Sequence, residues 1–187
     1  MNPQTTLVIN FLSALTFFAN VSTIILLFTL LFAKFKKNKI SGLPKKILDL
    51  ASKWAIPASF LIALVATSGS LYFSEVAKFE PCVLCWYQRI FMYPLVLLFC
   101  VSLLRKEYKQ IIYYALPLVV VGMAISGFHY AQQLSPDSFL PCKSIGYSVS
   151  CTKYFFKTFG YVTIPTMSLS AFSLIFSFLL AKRARSL

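Results

Sequence analysis

The chain has 187 residues, of which 58% are hydrophobic and only 12% charged; a soluble domain of this size carries about twice that charged fraction. The net charge of +13 does not indicate nucleic-acid binding, because the basic residues sit in short clusters between apolar runs instead of along one polar face. What remains is a chain whose apolar runs belong in a bilayer.

Five apolar segments follow in order: Leu7–Ala33, Trp54–Val76, Val83–Leu104, Ile111–Ala131 and Tyr161–Ala181. Each is near or above the roughly 20 residues that cross about 30 Å of hydrocarbon as a helix. Inside lipid each is expected to be helical, because unpaired backbone groups there cost several kcal/mol apiece. The expected fold is an all-α integral membrane protein, a four-helix transmembrane bundle with an additional N-terminal transmembrane helix. The first segment lacks a basic leader and a small-residue cleavage site, so it is read as a retained anchor. Residues 1–46 are taken as this anchor plus a basic linker, and residues 47–187 as the catalytic bundle.

Most of the 18 basic residues lie between the first two segments (Lys34 to Lys53), between the third and fourth (Arg105, Lys106, Lys109), and after the fifth (Lys182, Arg183, Arg185). By the positive-inside rule these mark the cytoplasmic face, with the N-terminus outside and the C-terminus inside. The expected location is a bacterial inner or plasma membrane.

That orientation puts two cysteine pairs on the outer side. Cys82 and Cys85 form a Cys-x-x-Cys at the start of the third segment; Cys142 and Cys151 lie in the polar loop before the fifth. Oxidising surroundings permit disulfides there, and two couples on one face can exchange electrons. The open N–H groups and dipole at a helix start stabilise a thiolate, and Cys85, further into the helix, is expected to gain most. An inert disulfide, or a zinc site if both pairs converge, are the alternatives; no metal is assigned. For the loop pair the alternative is a purely structural staple.

Arg89 falls on the stripe of Cys82 and Cys85, roughly 10 Å along the helix from Cys82. An arginine at that depth is expected to face the bundle interior or the interface; it can hold a thiolate or a reduced, anionic acceptor, the alternative being a side chain that snorkels to the headgroups. His129, the only histidine, is placed to supply a proton or hydrogen bond to that acceptor. Trp86 and Tyr87 fit either a ring pocket or an interfacial belt. Cys100 is read as packing.

The run Pro81-Cys82-Val83-Leu84-Cys85-Trp86-Tyr87-Gln88-Arg89 resembles the signature of the DsbB family of disulfide-bond formation proteins. With Tyr72-Phe73-Ser74-Glu75, His129-Tyr130 and Phe159-Gly160-Tyr161-Val162-Thr163-Ile164-Pro165, it is most similar to the short branch called disulfide formation protein C. The similarity begins at about Trp54 and leaves the first helix outside. It implies re-oxidation of a DsbA-like, thioredoxin-fold partner. By that resemblance the partner attacks the Cys142–Cys151 disulfide, Cys151 exchanges with Cys82, and Cys85 lies beside a quinone (menaquinone or ubiquinone) supported by Arg89 and assisted by His129. Gln88 stands where the best-known members carry a glutamate, so no acid is assigned there. Re-oxidising an oxidant needs a stronger oxidant downstream, and without a haem or iron–sulfur ligand set a lipid-soluble quinone is the natural sink. A vitamin K epoxide reductase-like enzyme would carry its loop pair ahead of the Cys-x-x-Cys, the reverse of this order. A non-enzymatic membrane protein with structural disulfides is the remaining alternative.

Overall fold

A computed structural model describes residues 2–35, 42–135 and 150–186. Its helices are α1 (Pro3–Phe35), α2 (Leu43–Leu71), α3 (Val83–Arg105), α4 (Gln110–Leu134) and α5 (Ile164–Ser186), with a π-helical turn over Tyr72–Val76 at the end of α2. Among the described residues, five helices are long and apolar enough to cross a membrane.

Most helices run a few residues beyond the segments expected from sequence, and two of the shifted boundaries have a clear local cause. α2 begins at Leu43, not Trp54, and runs unbroken across residues 46–47. Gly42 enters it with φ 76, a conformation open to glycine, and Pro44 pre-sets the first turn. Leu48 and Ala51 in this early stretch are buried against Leu174 and Ala181 of α5, so packing extends the helix into a basic segment. α5 begins at Ile164, not Tyr161, because Phe159 and Gly160 both take positive φ and fold a turn closed by Thr158 and Val162. Thr166 Oγ1 then accepts from the Thr163 amide at 2.7 Å and satisfies one open donor of the new helix.

α2, α3, α4 and α5 pack in a ring, each on the next, with α5 closing on α2; α1 lies along α5 and also touches α2. Lipid tails are as apolar as leucine, so association depends on close packing and interhelical hydrogen bonds. The interfaces are built accordingly. Ala55, Ser59, Ala63, Ala115, Ser126, Ser177 and Ala181 are fully buried, and Ser126 bonds Ser168 across α4 and α5 at 3.0 Å. Larger residues, among them Phe99, Phe172, Ile175 and Leu179, fill the space between. On α1, Ser13 reaches Thr158 at 2.6 Å and Asn20 accepts from Ser170 at 2.6 Å. Phe11, Phe17, Ile24 and Phe28 of α1 are exposed, an apolar face suited to lipid.

The basic helix ends gather at one end of the bundle, where Arg185 pairs with Asp49 at 2.8 Å and Lys182 lies over Tyr108. Cys82, Cys85, His129 and Cys151 meet at the other end.

Candidate functional site: a sulfur couple between a small pocket and an apolar chamber

Cys82 is the N-cap of α3, and its Sγ accepts the Cys85 amide N–H at 3.3 Å. The helix start therefore serves the sulfur of Cys82, not that of Cys85 as expected, because Cys82 sits just outside the first turn where the open donors point. The two sulfurs are free thiols 2.9 Å apart, and a small rotation brings them to the roughly 2.05 Å of a disulfide. Cys82 is buried. The neighbouring Cys85 thiol, and then the His129 ring, hold it below the usual thiol range, at about 5, against the opposing effect of burial.

His129, on α4, is 2% exposed, and its tautomer follows from its partners. Nε2 lies 3.1 Å from the Cys151 carbonyl, which can only accept, so Nε2 carries the proton and donates. Nδ1 is then the acceptor, and Gln88 Nε2 donates to it at 2.9 Å. The same Nε2–H lies 3.5 Å from Cys82 Sγ. His129 thus joins the Cys-x-x-Cys couple to the backbone of Cys151. Gln133 supports this arrangement by donating to the Lys153 carbonyl at 3.2 Å and accepting from Thr163 at 2.9 Å. Cys151 is buried and disulfide-bonded; Cys142 lies outside the described residues.

Of the two placements its depth allowed, Arg89 takes the interior one. Its Nε donates to Ser70 Oγ at 3.0 Å, a terminal N–H to the Ser70 carbonyl at 3.1 Å, and its guanidinium lies over the Trp86 ring at 5.0 Å. Trp86 and Tyr87 are both about half exposed, at 53% and 49%, and point outward as a belt. Cys100 is a free, partly buried thiol on α3.

Two cavities flank the couple. A small pocket is lined by Cys82, Cys85, His129 and Cys151. On the other side lies an apolar chamber of about 380 Å³, lined from α1, α2, α3 and α5, with Cys85, Gln88, Arg89 and Glu80 as polar features toward one end. Among the described residues, Cys85 is the cysteine that lines both. His129 does not line the chamber; its place is on the side of Cys82 and Cys151. Phe73, Phe79, Phe155 and Phe156 stack over this end, with Phe79 and Phe155 4.8 Å apart, and tie the segment after Cys151 to the π-helical turn.

Sequence reasoning did not find Ser70, Gln133 or the phenylalanine stack. The two phenylalanines in tandem after Cys151 were a signal for the stack; nothing local marks Ser70. The sulfurs of Cys82 and Cys85 and the His129 ring also lie within 4.8 Å of one another, a spacing open to a soft metal. Cys142, which the four-ligand zinc site considered from sequence requires, lies outside the described residues.

Residues 52–182 match the family described as Disulfide bond formation protein DsbB. The chain is 44% identical over 124 residues to Disulfide bond formation protein C of Bacillus subtilis, covering 65% of this chain and 87% of that one. It is 39% identical over 132 residues to a Probable disulfide formation protein of Coxiella burnetii, covering 70% and 88%, and 40% identical over 117 residues to the SPbeta prophage-derived disulfide bond formation protein B of Bacillus subtilis, covering 63% and 77%. No solved structure gives a significant match. A multi-pass helical membrane protein with a Cys-x-x-Cys couple set against an oxidised cysteine, the chain belongs to the DsbB family of disulfide bond formation proteins.

Proposed function

We propose that the protein is a thiol:quinone oxidoreductase that re-oxidises a DsbA-like, thioredoxin-fold partner outside the cytoplasm. The observation that carries this reading is the position of Cys85, which lines both the pocket shared with Cys82 and Cys151 and the apolar chamber. The distribution of lysine and arginine supports an outer placement for this end of the bundle.

A partner thiolate attacks the Cys142–Cys151 disulfide and forms a mixed disulfide. The second partner thiol displaces it, leaving an oxidised partner and a reduced loop pair. The loop pair then exchanges with an oxidised Cys82–Cys85 couple, which takes up the two electrons as a dithiol. In this exchange His129 holds the Cys151 backbone beside Cys82 and, with the α3 amide, stabilises the Cys82 thiolate as it leaves. Cys85 remains at the chamber.

The chamber's residues fit a quinone: mostly apolar walls with a few convergent polar groups is the usual character of a cofactor site. When bound, a quinone supplies a sink for two electrons and two protons. Cys85 would sit against its ring. Arg89, fixed by Ser70, would place its permanent positive charge beside that ring. The phenylalanine stack limits water access from above.

The test is anaerobic oxidation of a reduced DsbA-type protein by the purified membrane protein, with and without added ubiquinone or menaquinone. With the reduced partner in large excess, thiol loss beyond the equivalents held by the protein's own disulfides is expected only with quinone, and is expected to vanish in Cys85→Ser. Multiple turnovers without quinone, or turnovers that survive Cys85→Ser, contradict the reading.

A further inference from the structure

The family match begins at residue 52 and leaves α1 outside it, yet α1 forms one wall of the chamber. Leu12, Leu15, Thr16, Phe18, Ala19 and Ser22 all line it. α1 is held there by the Ser13–Thr158 and Asn20–Ser170 hydrogen bonds and by Leu12, whose Cδ1 would come within 3.1 Å of a Cβ on Gly69 of α2. Without α1 the cleft between α2 and α5 would open directly to lipid.

We infer that α1 encloses the polyprenyl tail of the quinone and that the small residues Ala19 and Ser22 set which tails the chamber accepts. This rests on the quinone reading of the chamber and deepens it. The polar groups of the chamber, Cys85, Gln88, Arg89 and Glu80, stand toward its outer end. From there the walls run inward along α1 from Leu12 to Ser22 and along α5 from Ile164 to Leu174, roughly 15 Å at the rise of a helix. Beyond Arg89 and Tyr93 the lining is apolar or small hydroxyl. A ring placed at the sulfur leaves a slot of matching polarity for one substituent, and that substituent must be a long hydrocarbon. Ala19 and Ser22 are the small side chains of α1 in the inner half of the slot, so added bulk there blocks the tail and leaves the ring end untouched.

The experiment uses full-length Ala19→Phe and Ser22→Phe, with Ile24→Phe as control because Ile24 is 68% exposed on the opposite face of α1. Each protein is assayed with a long-chain ubiquinone and with a tail-less dimethoxybenzoquinone, and the quinone retained per mole after purification is measured by extraction. Filling the slot is expected to raise KM for the long-chain quinone about tenfold or more and to lower the retained quinone. KM for the tail-less quinone and the properties of Ile24→Phe stay unchanged. Equal loss with both quinones, or no loss with either, overturns the inference.

A second measurement does not depend on how the variants fold. A ubiquinone bearing a photoreactive group on its tail is expected to label the peptide containing Leu12–Ser22 in the wild-type protein. Labelling confined to other helices overturns the inference, and labelling of this peptide only by a photoreactive phospholipid overturns it by identifying the slot as an acyl-chain site. A wild-type protein that reduces neither quinone is a separate result, which removes the oxidoreductase reading itself.

Discussion

The hydrogen-bond partners of His129 decide where its Nε2–H points. The Cys151 carbonyl and Cys82 sulfur receive it only while Gln88 donates to the opposite nitrogen. Gln88→Leu removes that donor inside a buried site and is expected to cost about 1–3 kcal/mol, read as a lower midpoint in thermal unfolding. The Cys82 thiolate gives a second test. With Cys100 changed to alanine and Cys142 and Cys151 to serine, the thiolate absorbance at 240 nm is expected to persist at neutral pH and to fall with a midpoint at about 5. Cys85→Ala removes the largest cause of that lowering, so the midpoint should move up toward the usual thiol range. An unchanged midpoint in Cys85→Ala contradicts the assigned cause. At this scale the sequence was readable in part. The shared stripe of Cys82, Cys85 and Arg89 follows from helical spacing, while depth alone left Arg89 either the interior or the interface. Which sulfur receives the helix-start N–H does not, because it turns on a cap position that spacing fixes only to within a residue or two.

Helix α1 shows how an element's role can be written in a minor feature of its sequence. Its apolar length declares a span, while Ser13, Thr16, Asn20 and Thr23 recur every three or four residues and mark the face turned inward. Small and hydroxyl side chains are what membrane interfaces use, so this stripe was the available signal that α1 is packed against the bundle. The α4–α5 contact relies on a glycine for the same reason. A Cβ on Gly122 would meet the Phe172 ring at 2.3 Å, and Phe172 is fully buried. Gly122→Ala is therefore expected to destabilise by about 1–3 kcal/mol, measured by unfolding in detergent; an unchanged midpoint would mean that the ring has room to move. The early start of α2 was hidden because its first turns are lysine-rich and read as linker, and only the burial of Leu48 and Ala51 against α5 shows why they are helical.

For the whole molecule, the arrangement that matters is a division of labour between the two ends of the bundle. Basic helix ends collect at one end, and the sulfurs and His129 at the other. Labelling of single introduced cysteines in intact cells and in inverted vesicles, in a background retaining the four redox cysteines as disulfides, should reach position 78 from outside and position 106 only from the cytoplasmic side. The chamber itself could not be read from the sequence, because its walls come from four helices separated by up to about 160 positions and no local pattern encodes their convergence. Arg89→Gln keeps the fold of that chamber but removes its permanent charge. It is expected to weaken quinone binding by about tenfold to a hundredfold, the size of a lost charge-assisted contact, seen as a raised KM for quinone with little change in KM for the dithiol partner.

The central claim is that electrons reach the acceptor only through the couple between the two cavities. It is tested most directly by fully reducing the protein, adding excess quinone without oxygen, and following each cysteine pair by thiol trapping and mass spectrometry. In the wild type both pairs should become oxidised, whereas in Cys85→Ser the Cys142–Cys151 pair should stay reduced. Re-oxidation of Cys142–Cys151 by quinone in Cys85→Ser would show that the loop pair reaches the acceptor without the Cys82–Cys85 couple, and would contradict the account.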